Sequence, residues 1–255
     1  MSEGAIAREL VCGTPRLKMP GVSMFCPGCH YGTIGRLLCE VLEEMGIAGK
    51  AICVVSASCS FSHALQMAID FMLAPHGRAA AVATAIKRVH PDAVVFTLQG
   101  DGDLGAIGLG HFMHAMLRGE RLTTIFLNNA GYGMTGGQMA PTTLLGMRTT
   151  TTPAGRDCDT TGFPLHVAEL AATMRGVAYS ARCTVHTPAN YRRAKKAVAT
   201  AFQKQVDGVG YGLVEFLSAC PTIWGMRPEE SLEFVGGEMA AEYPLGEYKD
   251  AGDIW

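Results

Sequence analysis

Charge is scarce in this 255-residue chain. Only 17% of its residues are Asp, Glu, Lys or Arg, and 21 basic against 23 acidic side chains leave a net charge of −2. Basic runs and aromatic residues interleaved with Lys or Arg are missing, so the chain lacks the electrostatic footprint of a nucleic-acid or anionic-membrane binder. No apolar run approaches the roughly 18 to 20 residues needed to span a bilayer. The opening Met1-Ser2-Glu3-Gly4-Ala5 lacks the basic-then-apolar order of a secretion signal. Neither nucleic acid nor membrane is expected as a partner, and the expected compartment is cytoplasmic. Internal repeats and low-complexity linkers are missing too. Residues 1–255 therefore read as a single domain, whose 48% apolar content can bury a large core. The 14 methionines read first as core filler and second as surface buried against other subunits.

What is present is a rhythm. Short β-branched runs alternate with longer helical periodicity, the pattern of βαβ units around a mostly parallel sheet flanked by helices. Strands are predicted at 51–55, 93–99, 123–128, 177–181 and 213–217, and helices at 33–45, 78–89, 104–117, 165–175 and 188–206. Two stretches break the rhythm. Residues 130–164 form a Gly/Thr-rich segment too long for an idle loop in a compact domain, so it is expected to be functional or packed on a partner. The tail from Pro221 shows little periodicity and is expected to wrap over this domain or a neighbour.

Nine cysteines without a secretion signal read as reduced thiols or metal ligands. Cys26-Pro27-Gly28-Cys29 lets two thiolates meet one metal centre, because two intervening residues allow the chain to fold around it. A zinc knuckle would need a second Cys-x-x-Cys or a His pair nearby, and the other cysteines are isolated. An iron–sulfur cluster tolerates scattered ligands, which makes Cys59 and Cys220 candidates. On residues alone, cluster, zinc and thiol redox pair all stay open, in that order. Cys12, Cys39, Cys53, Cys158 and Cys183 read as plain thiols. Gly100-Asp101-Gly102 follows a predicted strand and opens the helix expected from Leu104, where backbone N–H groups can meet a phosphate. Asn128-Asn129 ends the next strand. Adjacent parallel strands would bring Asp101 and Asn129 to one sheet edge, where a carboxylate and an amide oxygen can share a Mg²⁺ with phosphates and water.

Gly-Asp-Gly followed by Asn-Asn, with Asp101 and Asn129 28 residues apart, resembles the thiamine diphosphate signature. The resemblance implies that Asp101, Asn129 and the backbone carbonyl of Gly131 bind Mg²⁺. It widens when the motifs are taken in order: Cys26 to Cys29, Ser58-Cys59-Ser60, His76-Gly77-Arg78, Tyr132 to Gln138, Pro141-Thr142-Thr143 and Ala219-Cys220-Pro221-Thr222. This series, from about residue 20 to about residue 230, resembles the β subunit of the 2-oxoacid:ferredoxin oxidoreductases, most of all members acting on 2-oxoglutarate or branched-chain 2-oxoacids. The resemblance implies a thiamine-diphosphate-binding fold and a [4Fe-4S] cluster on Cys26, Cys29, Cys59 and Cys220. It places Ala57, Ser58, Cys59, Ser60, His76, Gly102, Asp103, Gly133 and Met134 around thiamine diphosphate. His76 has a rival reading as a helix cap, and His30 is as well read as packing.

The implied activity is CoA-dependent oxidative decarboxylation of a 2-oxoacid to acyl-CoA and CO₂, with electrons passing through the cluster to ferredoxin. Met134 stands where pyruvate-specific relatives have Asn, which favours a bulkier or differently oriented 2-oxoacid. No glutamate has a convincing place for promoting the cofactor's proton shifts. Glu40, Glu43 and Glu44 read as a solvated or capping face, and Glu120 lies beside a surface turn. The resemblance assigns that glutamate to an α subunit, an obligatory partner, with γ and ferredoxin-like δ subunits as further candidates. Two rivals are carried: an electron-transfer subunit with a cluster but no thiamine diphosphate, and a zinc-containing non-oxidative decarboxylase.

Overall fold

The computed structural model describes residues 13–255, so Cys12 and the first residues lie outside the described part. Seven strands form one sheet: β1 (Ala51–Ser56), β2 (Asp70–Ala74), β3 (Val94–Gly100), β4 (Thr123–Asn128), β5 (Val177–Thr184), β6 (Tyr211–Leu217) and β7 (Gly246–Asp250). Their order is β2-β1-β3-β4-β6-β5-β7, and all pairings are parallel except β7 on β5. The helices are α1 (Tyr31–Glu44), α2 (Ala79–Val89), α3 (Asp101–Gly105), α4 (Leu109–Leu117), α5 (Cys158–Thr161), α6 (Val167–Thr173), α7 (Pro188–Val206), α8 (Pro221–Trp224) and α9 (Pro228–Phe234). No helix among the described residues is long and apolar enough to cross a membrane.

The predicted α/β layering is what forms. Successive strand residues point to opposite faces, so neighbours on β3 and β4 divide between two cores. Phe96 and Ile125 join Ile34 and Leu38 of α1 and Phe202 of α7 on one face. Val95 and Phe126 join Ala83 of α2, Phe112 of α4 and Val167 of α6 on the other. Both faces are covered, which is why the central strands read as continuous apolar runs.

One expectation is corrected and two are sharpened. The helix predicted at 104–117 is two helices, α3 starting at Asp101 and α4 at Leu109, broken at Ala106 to Gly108. A Cβ on Gly108 would lie 2.0 Å from the Asp103 carbonyl oxygen, and one on Gly77 2.5 Å from Ile107 Cγ2. The chain breaks there so that the Gly77 loop can pass in backbone contact. The tail from Pro221 wraps over this domain, as expected, and does so as regular structure: α8 and α9 lead through a π turn (Val235–Met239) to β7, which caps the sheet edge. Glu120 follows the turn at Arg118 and Gly119, as expected, but is itself only 7% exposed and receives Arg88 at 2.6 Å and Arg118 at 2.7 Å.

The 130–164 segment carries little regular structure, yet it is pinned by one side chain. Arg156 is buried and donates to the carbonyls of Pro141 (2.9 Å), Thr143 (2.5 Å), Gly162 (3.1 Å) and Phe163 (2.8 Å), with longer bonds to Ala140 and Thr161. A guanidinium has five donors in a rigid fork, so it can gather carbonyls that no strand or helix satisfies.

Candidate functional site

β2 and β3 lie on opposite sides of β1, so the chain reverses direction across the sheet at the C-terminal ends of β1 and β3, where open α/β sheets place ligands. A cavity of about 470 Å³ opens there. Ala57, Ser58 and Cys59 leave β1, Gly100 to Asp103 leave β3, and Asn129 and Gly131 to Thr135 leave β4 to line it. Among the residues predicted for thiamine diphosphate and the cation, only Ser60 is off the wall. It is fully buried, its hydroxyl 2.7 Å from that of Ser58, and so holds the loop rather than facing the cavity.

The three predicted cation ligands converge. Asp101 is buried beneath the cavity; its Oδ1 accepts from the Thr142 hydroxyl and its Oδ2 from the Asn129 backbone N–H at 3.0 Å. Burial pushes its carboxyl up to about 7 in the cation-free chain. Between Asn129 and Gly131, Ala130 adopts φ 56°, the single non-glycine residue in the left-handed region among those described. That conformation costs roughly 1 to 2 kcal/mol and turns the Gly131 carbonyl back toward Asn129. It is held in place because Asn128 Oδ1 accepts from Ala130 N–H (3.1 Å) while Asn128 Nδ2 donates to buried Glu215 (2.8 Å). The first Asn of the pair thus builds the turn, and the second faces the site.

The Asn129 amide oxygen points at Asp101 Oδ2 and the Gly131 carbonyl. A half-turn would put its NH₂ there instead, donating to both, at 3.0 Å to Gly131. In a chain without a cation the half-turned amide is the better bonded. With a cation, three oxygens must face one another, and ligand oxygens of an octahedral Mg²⁺ sit about 3.0 Å apart at Mg–O distances near 2.1 Å. The donor set, and the 3.0 Å spacing between the Asn129 amide and the Gly131 carbonyl, fit the implied ion.

The four predicted cluster cysteines are drawn from three distant segments to one wall. Gly28 sits at φ +78°, and a Cβ there would meet Pro228 at 2.8 Å and Pro221 at 3.1 Å, so the Cys26–Cys29 turn rests against the residue that follows Cys220. His30 N–H donates to the Ala219 carbonyl at 3.3 Å. At Gly133, an added Cβ would find Cys59 Sγ at 3.4 Å and Cys220 Sγ at 3.8 Å. Cys26 is exposed, Cys29 and Cys59 are half-buried, and Cys220 is buried. Burial above all, with the neighbouring thiols adding to it, pushes the Cys29 thiol up to about 12 and that of Cys59 up to about 11. Such thiols ionise only when a metal replaces the proton. No three of the four sulfurs lie within 4.8 Å of one another, whereas thiolates on one tetrahedral zinc sit about 3.8 Å apart at Zn–S near 2.3 Å. Cys39 and Cys53 are buried in the core, and Cys158 and Cys183 are half-buried elsewhere.

His76 lies on the cavity wall with Nδ1 3.7 Å from Asp103 Oδ1. It does not cap α2, whose N-cap is Arg78. His30 is buried with both ring nitrogens unbonded, and burial lowers it to about 4, as expected of a packed neutral imidazole. A Cβ on Gly102 would fall 1.8 Å from the Tyr132 ring, so any side chain there displaces that ring. Glu40 and Glu44 pair with Lys195, and Glu43 accepts from Leu17 N–H; none lines the cavity. Sequence reasoning missed Thr142 as the Asp101 partner, Tyr31 on the wall, and Trp224, whose indole N–H donates to the Asn129 carbonyl at 3.1 Å. The only trace of Thr142 in the sequence is Pro141-Thr142-Thr143.

Comparison with known proteins extends this picture. Residues 47–213 match the family described as thiamine pyrophosphate enzyme, C-terminal TPP binding domain. The chain is 41% identical over 231 residues to the ketoisovalerate oxidoreductase subunit VorA of Methanothermobacter thermautotrophicus, covering 91% of this chain and 48% of that protein. It thus spans about half the length of these relatives. It is 35% identical over 211 residues to the 2-oxoglutarate synthase subunit KorB of Archaeoglobus fulgidus, covering 83% of this chain and 74% of that protein. In fold it superimposes with a TM-score of 0.75 on a 2-oxoglutarate:ferredoxin oxidoreductase from Magnetococcus marinus, at 24% identity over 99% of this chain and 90% of that one.

Proposed function

Starting from a chain that belongs to the thiamine-diphosphate-binding subunits of the 2-oxoacid:ferredoxin oxidoreductases, we propose that it forms the cofactor half of an enzyme converting a 2-oxoacid and CoA to acyl-CoA and CO₂. Electrons leave through a [4Fe-4S] cluster to ferredoxin. The observation that carries the reading is the convergence of Asp101, Asn129 and Gly131 oxygens beside a wall where four cysteines meet. Asp101, Asn129 and the Gly131 carbonyl hold Mg²⁺ and, through it, the diphosphate. Gly102 lets the backbone approach that diphosphate, and Ala57, Ser58, His76, Asp103, Gly133 and Met134 shape the rest of the pocket. Cys26, Cys29, Cys59 and Cys220 hold the cluster. Bound thiamine diphosphate supplies a nucleophilic carbon and an electron sink; the protein's part is to fix its position and keep the cluster close. An α subunit completes the site with the glutamate that promotes the cofactor's proton shifts, in the cytoplasm.

For the substrate we favour a branched-chain 2-oxoacid. Met134 and Tyr132 line the cavity, and among the described residues no Lys or Arg does, so no permanently charged side chain of this chain is placed to pair a second carboxylate. The 41% identical relative is named for ketoisovalerate. The test is anaerobic purification with the co-expressed partner, measuring iron, sulfide, zinc and thiamine diphosphate per chain, then CoA-dependent viologen reduction with 2-oxoisovalerate, 2-oxoglutarate and pyruvate. About four iron and four sulfide with one thiamine diphosphate are expected, with Cys220→Ser losing iron and Cys158→Ser keeping it. Zinc in place of iron, or a cluster without thiamine diphosphate, refutes the reading in favour of a non-oxidative decarboxylase or an electron-transfer subunit respectively.

A further inference from the structure

Resting on that reading, we propose that the Asn129 amide physically links the two cofactor sites: its oxygen takes the cation, its NH₂ donates to the Cys220 sulfur, and each occupancy favours the other. Asn129 is 5% exposed and stands at the meeting point of both sites. An added Cβ on Gly133 would lie 3.6 Å from Asn129 Nδ2, 3.4 Å from Cys59 Sγ and 3.8 Å from Cys220 Sγ. With its oxygen toward Asp101 and Gly131, the amide turns its NH₂ to the side where Gly133 brings Cys220 and Cys59 close. The backbone of Asn129 cannot follow a change at either end. Its N–H is bonded to Asp101 Oδ2 at 3.0 Å and its carbonyl to the Trp224 indole at 3.1 Å. Only the amide plane is free to choose.

The choice depends on what each site holds. With both sites empty, the oxygen confronts two other oxygens and the nitrogen confronts a thiol that has its own proton, so the half-turned amide, donating to Asp101 and Gly131, is favoured. With a cation alone, the oxygen is satisfied and the nitrogen is not. With a cysteine thiolate alone, the nitrogen is satisfied and the oxygen is not. Only when both are loaded do both ends of the amide meet the partners they require. Two ligands that select the same orientation of one group are coupled, and the coupling is reciprocal.

Redox state is part of the linkage. One-electron reduction of the cluster places more negative charge on its cysteine sulfurs, and hydrogen bonds to more anionic acceptors are stronger. The reduced cluster should therefore hold the inward-oxygen orientation more firmly and tighten the cation site. By reciprocity, a bound cation should make the cluster easier to reduce. One hydrogen bond of about 1 kcal/mol corresponds to about fivefold in affinity.

The experiment uses the anaerobically purified complex, thiamine diphosphate, and Mn²⁺ as the cation probe read by EPR. Mn²⁺ affinity is measured with the cluster oxidised and after dithionite reduction. About fivefold tighter binding in the reduced state is expected. Asn129→Asp keeps an inward oxygen but has no N–H for Cys220, so its ratio should fall to the remainder left by through-space charge. An equal ratio in wild type and Asn129→Asp overturns the link. A second readout does not depend on the variant. In protein labelled with ¹⁵N-asparagine, pulsed EPR of the reduced cluster should detect coupling to an amide nitrogen, and its absence overturns the link as well. Iron, sulfide and thiamine diphosphate are assayed on the same samples. A loaded wild type without coupling defeats the link alone; a wild type that loads neither group defeats the functional reading and the link with it.

Discussion

Replacing Arg156 by alanine should open the 130–164 segment and disarm the cation site without melting the sheet. Four of its bonds to loop carbonyls are 3.1 Å or shorter, and bonds from a charged donor contribute roughly 1.5 to 3 kcal/mol each. Carbonyls that reach water as the loop opens recover part of this, leaving a net loss of about 4 to 6 kcal/mol. That is comparable with the whole stability of many domains, about 5 to 15 kcal/mol, but the bonds all lie within one segment, so local opening is the cheaper response. The consequence reaches the site because Arg156 grips Pro141 and Thr143 on either side of Thr142, whose hydroxyl donates to Asp101. Hydrogen exchange with limited proteolysis should show loss of protection across 140–163 while β3 and β4 stay protected. Mn²⁺ affinity with thiamine diphosphate should fall at least tenfold. Arg156→Lys, with one ammonium and three donors, should fall between. Unchanged protection across 140–163 in Arg156→Ala would refute the reasoning.

Asp101 gives a pH prediction. Its folded value, pushed up to about 7 by burial, lies above the usual unfolded value of about 3.9. The stability it contributes is thus full below about pH 4 and lost as pH rises through 7. Cation-free wild type should show a Tm that declines from pH 5 to pH 8 relative to Asp101→Asn, and Mg²⁺ with thiamine diphosphate should restore it at pH 8; parallel profiles for the two proteins would count against this. Gly102→Ala places a methyl where the Tyr132 ring now lies, 1.8 Å from Cε1, so the ring must swing into the cavity or away from it. Circular dichroism should stay native while thiamine diphosphate affinity, by calorimetry, drops more than tenfold; wild-type affinity would show that Tyr132 moves aside freely.

The parts of the fold legible in the sequence are those where burial on both faces forces a continuous apolar run, as in Val94–Gly100 and Thr123–Asn128. β2, with pattern Asp-Phe-Met-Leu-Ala, and β7, with Gly-Glu-Tyr-Lys-Asp, are edge strands that do not need such runs, and nothing in their composition separates them from loops. The break between α3 and α4 depends on Gly77 and Gly108 touching across 31 positions of sequence, which periodicity cannot register. Asp101 and Asn129 were legible because each sits at the end of a recognisable strand. Cys220 was legible chiefly through resemblance, since it follows β6 while Cys59 follows β1, two strands separated in the sheet by β3 and β4. Arg156 and Thr142 act through loop carbonyls and a single hydroxyl, contacts that leave no repeating pattern.

The graded exposure of the four cysteines has a geometric consequence. Cys220 and Cys59 sit beside Gly133 on the inner wall, Cys29 is half-buried, and Cys26 reaches solvent. A group held by all four spans the thickness of that wall, with one corner toward the cavity and another toward the exterior. On the proposed reading such a group would act as an insulated feedthrough, letting charge cross where neither substrate nor bulk water can. The same outer corner is the point at which oxygen would first attack, so resistance to air should depend on what covers Cys26 more than on anything inside the cavity.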